Sequence, residues 1–252
     1  MEKRHLIPAI CKREASDPRL GQPGIALAVA LAVVVLAAAL GGPAHAASAA
    51  PAAGDAYVYR VVNGYNRETV GHLRHEITTA GTAQGQVVSV TVDTPALGLP
   101  RTEIVSPDGQ WLRHTLDTHG RTTDYEFAPA LPAVQTPAGG TSWSVRVNAM
   151  VPAQSAKRSV RIDGAVLGNE RIRVPAGEFD TVKIRRLIYP GDAGDFKTET
   201  RIVEIDWHAP ALGRSVRTET RSSWQELCSR RLCTYHGDWH IAELAEAPAA
   251  MR

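Results

Sequence analysis

The sequence predicts an all-β protein, built from a single strongly curved antiparallel sheet or open barrel of about ten to twelve strands. Three observations support this fold class. Apolar and polar residues alternate with a period of two along most of the chain, turn-forming residues separate the alternating segments, and no amphipathic pattern long enough for a three-turn helix occurs before residue 240.

The alternation is clearest in residues 144–149, where Val145, Val147 and Ala149 are interleaved with polar side chains. Successive side chains of a strand point to opposite faces, so such a segment is a strand with one face in the core and one in solvent. Antiparallel sheets tolerate a solvated face, whereas parallel sheets are covered on both. The same pattern occurs in residues 88–93, 159–163, 181–185 and 202–207.

The segments between these predicted strands contain residues that favour turns. Glycine adopts positive φ without steric cost, and proline fixes φ for the first position of a turn. Pro175, Ala176 and Gly177 form one such turn, for which we expect positive φ at Gly177. Other turns are predicted at 106–109, 119–120, 137–140, 167–170 and 190–192.

The first 46 residues have the layout of a secretory signal peptide. Basic residues precede an apolar run of 16 residues at 25–40, glycine and proline end the run at 41–43, and Ala44-His45-Ala46 supplies the small residues that signal peptidase recognises. We therefore expect an N-terminal signal helix, cleavage after Ala46 and a periplasmic protein. The alternative is an uncleaved inner-membrane anchor, although a membrane span needs roughly 20 apolar residues.

The remaining chain divides into an Ala/Pro-rich disordered linker at 47–54, an antiparallel β domain at 55–240 and a tail at 241–252. Five basic and three acidic residues fall in 1–46, so 23 of the 28 Lys and Arg and 23 of the 26 Asp and Glu remain after cleavage. A mature domain with no net charge predicts no nucleic acid partner, and contact with a membrane only through the signal segment before cleavage.

Two segments carry a resemblance to a known group of proteins. Residues 174–183 (VPAGEFDTVK) and 206–216 (DWHAPALGRSV) resemble a pair of motifs in an uncharacterised proteobacterial periplasmic family of unknown function. The resemblance implies an envelope β-sheet domain similar to the half-barrel of lipoprotein carriers, with no established activity. Phe179 and Trp207 are then core anchors or, together with Trp143, candidate contacts for an apolar ligand.

The sequence contains few signals of catalysis. The nucleophile elbow of hydrolases, the phosphate-binding loop and the dinucleotide fingerprint do not occur in it. We therefore predict no catalytic residues and no cofactor.

Cys228, Cys233, His236 and His240 form the densest group of reactive side chains. They could ligate zinc, but the two-residue gap between the Cys and His pairs differs from that of familiar zinc fingers, and exported thiols oxidise. A disulfide between Cys228 and Cys233 across a hairpin loop is the main prediction. A zinc site formed by all four residues, or free thiols, are the alternatives.

Two functions remain open at this level. The first is an exported, non-catalytic envelope protein whose β-sheet binds a lipid, another apolar or amphipathic ligand, or an envelope protein partner. The second is a periplasmic hydrolase or metal-dependent enzyme that uses the His236 and His240 region.

Overall fold

Thirteen antiparallel strands form the fold, in a computed structural model that describes residues 51–82, 85–106, 109–133, 142–194 and 198–248. Neighbouring strands are consecutive in sequence from β1 to β11, as expected for a chain of hairpins. The strands are β1 Ala56–Asn63, β2 Thr69–Thr82, β3 Gly85–Val92, β4 Arg101–Val105, β5 Trp111–Thr118, β6 Arg121–Leu131, β7 Ser142–Val151, β8 Ala156–Val174, β9 Gly177–Tyr189, β10 Arg201–Ala209, β11 Arg214–Cys228, β12 Arg231–His236 and β13 His240–Glu246.

Twelve of these strands close into a barrel. Strand β13 pairs with both β1 and β11, and β11 pairs with β10, so the ring has no open edge between the first and last strands. The predicted all-β antiparallel class is confirmed. The sequence predicted a strongly curved sheet or an open barrel, and the family resemblance implied a half-barrel; the structure shows that the curved sheet closes completely.

The period-two pattern places side chains as predicted. On β7, Val147, Ala149 and Val151 are buried, whereas Arg146 and Asn148 are exposed. Gly177, which begins β9, has φ 141°, in the region that favours glycine and that was predicted for this turn. In the described residues the helical segments are short 3-10 turns, at Pro95–Leu97 and Pro152–Gln154, and no helix there has the length and apolar character needed to cross a membrane.

The domain boundaries differ from those predicted. Residues 241–246, assigned to a C-terminal tail, belong to β13 and lie inside the ring between β1 and β11. Residues 51–54, assigned to a disordered linker, form a turn in which the Gly54 N–H donates to the Ile77 carbonyl at 2.8 Å. The predicted signal segment 1–46 and linker residues 47–50 lie outside the described residues.

Many of the buried apolar residues fall into two clusters. The first centres on β5 to β8 and includes Trp111, Tyr125 and Ile162. The second joins β1, β2 and β13 to residues at or near the β8–β9 and β10–β11 connections, and includes Tyr57, Trp207 and Leu244. Along β10 the sequence passes from Ile202 in the first cluster to Ala209 in the second.

Candidate functional site

Charged side chains lie between the two apolar clusters. Arg186 of β9 is 4% exposed and forms ion pairs with Glu204 and Asp206 of β10. Its Nη1 donates to the Ala133 carbonyl at 2.7 Å, and Thr218 Oγ1 donates to Asp206 at 2.5 Å. The buried charges of this group are therefore all hydrogen-bonded, which is the condition for tolerating them in an interior.

A second group of charged and polar side chains lies beside Trp111. The ring of His114 stacks on Trp111 with centroids 3.9 Å apart, and His114 Nδ1 lies 3.5 Å from Glu103. Arg101 Nε donates to the same carboxylate at 3.0 Å. Burial alone would raise the pKa of Glu103, but His114, His75 and Arg101 hold the pKa below its ordinary value.

His75 connects this group with the second apolar cluster. Arg214 lies 3.3 Å from His75 Nδ1, and its guanidinium carbon sits 4.3 Å from the centre of the Tyr57 ring. Burial lowers the pKa of His75 to about 3, and the positive charges of Arg214 and Arg101 act in the same direction against the opposing effect of Glu103. The imidazole is therefore neutral at pH 7, and we assign these interior charged groups to the stability of the barrel.

An outer groove crosses five strands on the solvent face. The registers place Ile104, Arg113, Glu126, Met150 and Lys157 opposite one another in succession from β4 to β8. Directly paired residues project from the same face of a sheet, so these five side chains form one row. The row borders a cavity of about 640 Å³.

Strand pairing is short and irregular beside the groove. Strands β6 and β7 pair at only two positions, Glu126 with Met150 and Phe127 with Ala149. Pro129 follows shortly after on β6 and has no N–H to continue the ladder. The ladder of β5 is irregular between Trp111 and Arg113 on both of its edges, which increases local twist.

The groove combines apolar and charged side chains. Ile104, Leu112, Ala128 and Met150 supply apolar surface. Arg113 is paired with Asp124 at 3.4 Å and lies 3.9 Å from Glu126. Within the described residues Lys157 has no ion-pair partner, so one end of the groove carries an uncompensated positive charge.

A smaller, polar cavity of about 350 Å³ lies beside the β5–β6 turn. His119 Nδ1 is 3.8 Å from Asp192, whose carboxylate also accepts from the Thr200 N–H and hydroxyl. Arg158 is held by the Gly191 carbonyl at 3.1 Å and by Gln154 at 2.6 Å. These bonds tie the β9–β10 connection to neighbouring turns, so we assign the cavity a structural role.

The three aromatic residues proposed from the sequence as ligand contacts do not form one site. Trp207 is buried in the second apolar cluster and Phe179 packs against that cluster. Trp207 Nε1 donates to Glu170 at 3.1 Å, and Lys183 and Arg217 lie over its ring. Trp143 instead sits on β7, with its ring over Gly164 of β8.

The cysteine and histidine group is also resolved by the geometry. Cys228 and Cys233 form a disulfide across the β11–β12 hairpin, with Cα atoms 5.8 Å apart. His236 of β12 lies opposite Ser223 of β11, whereas His240 of β13 lies opposite Thr220 of β11. The described residues hold no cluster of three or more His, Cys, Asp or Glu side chains that could bind a metal, and with the thiols bridged the alternative zinc site is not assembled.

The groove was not identified from the sequence. Ile104 and Met150 are apolar residues on the outward-facing parity of their strands, which is the signal that could have revealed it. The row across five strands depends on register, and register is set by irregularities that the alternation pattern does not specify.

Comparisons with known proteins give shape similarity alone. No protein-family model matches the chain, and no curated protein matches it in sequence. A candidate lipoprotein from Parabacteroides distasonis is similar with a TM-score of 0.46 and 14% identity, over 78% of this chain and 96% of that one. A candidate exported protein with a YmcC-like fold from Bacteroides fragilis is similar with a TM-score of 0.43 and 11% identity, over 78% of this chain and 96% of that one. We take no residue role or activity from either, and the family resemblance stays a prediction.

Proposed function

We propose that this chain is an exported, non-catalytic binding module of the periplasm, whose outer groove holds an amphipathic ligand. The observation that carries the proposal is the groove itself. Its volume of about 640 Å³ falls within the range of small-molecule sites, and such sites combine apolar walls with a few polar groups that orient the ligand.

The arrangement of side chains indicates the class of ligand. An alkyl chain would lie on Ile104, Leu112 and Met150, and removing it from water is the main favourable contribution. An anionic group at the other end would meet Lys157, which among the described residues has no carboxylate within ion-pairing distance; Glu126, also in the groove, lies 3.9 Å from Arg113. A fatty acid or a lipid with an acidic headgroup satisfies both requirements.

Binding of a dansylated fatty acid tests this proposal. We expect saturable binding by the wild-type protein, weakened about tenfold or more by Asn148→Trp, because the exposed Asn148 lines the groove and an indole there would fill it. Ser144→Trp is the matched control, since Ser144 is exposed two outward-facing positions away on the same strand and does not line the groove. Fluorescence titration measures both.

Absence of binding by the wild-type protein would contradict the proposal. So would equal affinities for Asn148→Trp and Ser144→Trp. Lys157→Gln distinguishes the contribution of the headgroup from that of the alkyl chain. It should weaken binding of the dansylated fatty acid about threefold and leave binding of the corresponding dansylated alcohol unchanged.

The export part of the proposal has its own test. Cleavage after Ala46 gives a protein that begins at Ala47 and lacks Cys11, so with Cys228 and Cys233 bridged it should contain no titratable thiol. Intact mass should rise by about 2 Da on reduction, from the two hydrogens gained. A mass that includes residues 1–46 would contradict cleavage, and free thiols in the unreduced protein would contradict the disulfide.

A further inference from the structure

The β11–β12 hairpin extends past the last pairing of β11 with the barrel strands. Strand β10 pairs with β11 only as far as Ser223, and β13 only as far as Thr220. From Trp224 to Cys228, β11 therefore pairs with β12 alone. At roughly 3.3 Å per residue, this two-stranded ribbon extends about 15 Å past the last barrel pairing.

The ribbon is held rigid in two ways. An isolated two-stranded hairpin is marginally stable in water, so a projecting one needs additional support. The disulfide joins Cys228 to Cys233 near the tip. At the base, Trp224 stacks on Tyr235 with centroids 5.9 Å apart and makes an edge contact with His119 of the β5–β6 turn.

The tip exposes both leucines and arginines. Leu227 and Leu232 are opposite each other and therefore on one face, and they are 75% and 47% exposed. Arg230 and Arg231 lie between them, and in the described part of the chain neither has a carboxylate within ion-pairing distance. Glu226 and Arg231 project from the face opposite the leucines, since Arg231 pairs with Cys228, two residues after Glu226. Glu226 accepts there from Trp224 Nε1 at 2.9 Å.

The same end of the barrel presents further side chains of this kind. Because neighbouring strands are antiparallel, the β1–β2, β3–β4 and β11–β12 connections lie at one end of the barrel. Tyr65 of the β1–β2 connection is 68% exposed and touches Trp239, which directly precedes β13. Arg67 follows Tyr65 in that connection and is exposed, and Leu99 of the β3–β4 connection is 76% exposed.

We propose that the β11–β12 hairpin tip docks on an anionic phospholipid surface. Leu227 and Leu232 enter the boundary between headgroups and acyl chains, and Arg230 and Arg231 meet lipid phosphates. Tyr65 and Arg67 supply a second contact of the same chemistry. The mature domain has no net charge, so its overall charge gives no sign of this local cluster. The hairpin tip is separate from the outer groove, so the docking proposal and the groove proposal can be contradicted independently.

Sedimentation with vesicles tests the docking surface. The probes are vesicles of phosphatidylethanolamine with 30% phosphatidylglycerol, a fraction chosen as roughly physiological for an anionic membrane, and vesicles of phosphatidylcholine alone. We expect Arg230→Gln with Arg231→Gln to reduce partitioning onto the anionic vesicles about tenfold or more, and to change partitioning onto the neutral ones little. Leu227→Ser with Leu232→Ser should reduce both.

Matched controls are available on the same chain. Arg171→Gln with Arg173→Gln removes two exposed arginines from the β8–β9 hairpin at the opposite end of the barrel, and Leu167→Ser removes an exposed leucine from β8. Both should partition as the wild-type protein does. Absence of partitioning onto anionic vesicles, or equal losses in the hairpin and control variants, would overturn the proposal.

A protein partner is the competing outcome. A photo-crosslinker at Leu232 that joins one envelope protein in cells, with no vesicle binding by the purified chain, would assign the hairpin to that partner and reject the lipid surface. Crosslinking to phospholipid would support the proposal.

Discussion

We expect Arg186→Met to lower the free energy of unfolding by about 3–5 kcal/mol. Methionine fills a similar volume but cannot donate to Glu204, Asp206 or the Ala133 carbonyl, all of which Arg186 contacts. Two carboxylates that are 12% and 5% exposed would then remain without their cation. Chemical denaturation at pH 7 measures the loss.

Arg185→Met is the matched control. Arg185 is the preceding residue of β9, it points to the opposite face, and it is exposed. Its substitution should change stability by about 0.5 kcal/mol or less. A loss of similar size in both variants would show that the effect belongs to the strand and not to the buried ion pairs.

A triple variant identifies the cause of the loss. Adding Glu204→Gln and Asp206→Asn to Arg186→Met removes the uncompensated charges while keeping the shape of the site. We expect more than half of the lost stability to return, because breaking a buried ion pair costs more than replacing all of its members. Failure of the triple variant to recover would assign the loss to packing around Trp111.

The strands were predictable because alternation directly reports which face is buried. Val147 and Ala149 are inside and Arg146 is outside, as the pattern predicts. Ion pairs on the solvated face follow from the same parity, as with Arg171 and Glu178 at 3.3 Å on paired strands β8 and β9. In each case the residues of one short segment are enough to predict which face of the sheet a side chain occupies.

Features that depend on distant strands were not predictable in this way. Alternation places Arg186 on the buried face with Ile184 and Ile188, and Arg185 on the exposed face. The carboxylates that neutralise Arg186 lie on another strand, so its segment does not show how a buried arginine is accommodated. Strand β13 was missed because Ile241 and Leu244 are three residues apart, which breaks the alternation. Barrel closure and the outer groove both depend on register between strands, which is set by the assembled sheet.

The second large effect that we expect is a loss of stability in acid that depends on His75. Burial keeps the pKa of this imidazole at about 3 in the folded protein, whereas in the unfolded chain it is near its ordinary value of about 6.5. Between these values the unfolded state binds a proton that the folded state does not. The contribution of neutral His75 to stability is therefore complete above about pH 6.5 and is lost as the pH falls toward 3.

The groups that face His75 affect this change in predictable directions. Arg214 and Arg101 oppose protonation and Glu103 favours it. The pKa of Glu103 is itself held below the ordinary value, so its contribution is present above about pH 4.5 and is lost only in stronger acid. Measurements from pH 7 to pH 4.5 therefore separate the histidine from the carboxylate.

Comparison of the wild-type protein with His75→Gln provides the measurement. His75 as a whole residue is half-buried, so we expect less than the full linkage of about 1.4 kcal/mol per pH unit. Between pH 7 and pH 4.5 the wild-type protein should lose about 1–2 kcal/mol more than His75→Gln does. His236→Gln, at an exposed position of β12, should keep the wild-type pH dependence. Equal losses in the wild-type protein and His75→Gln would show that the imidazole is not kept neutral by the barrel interior.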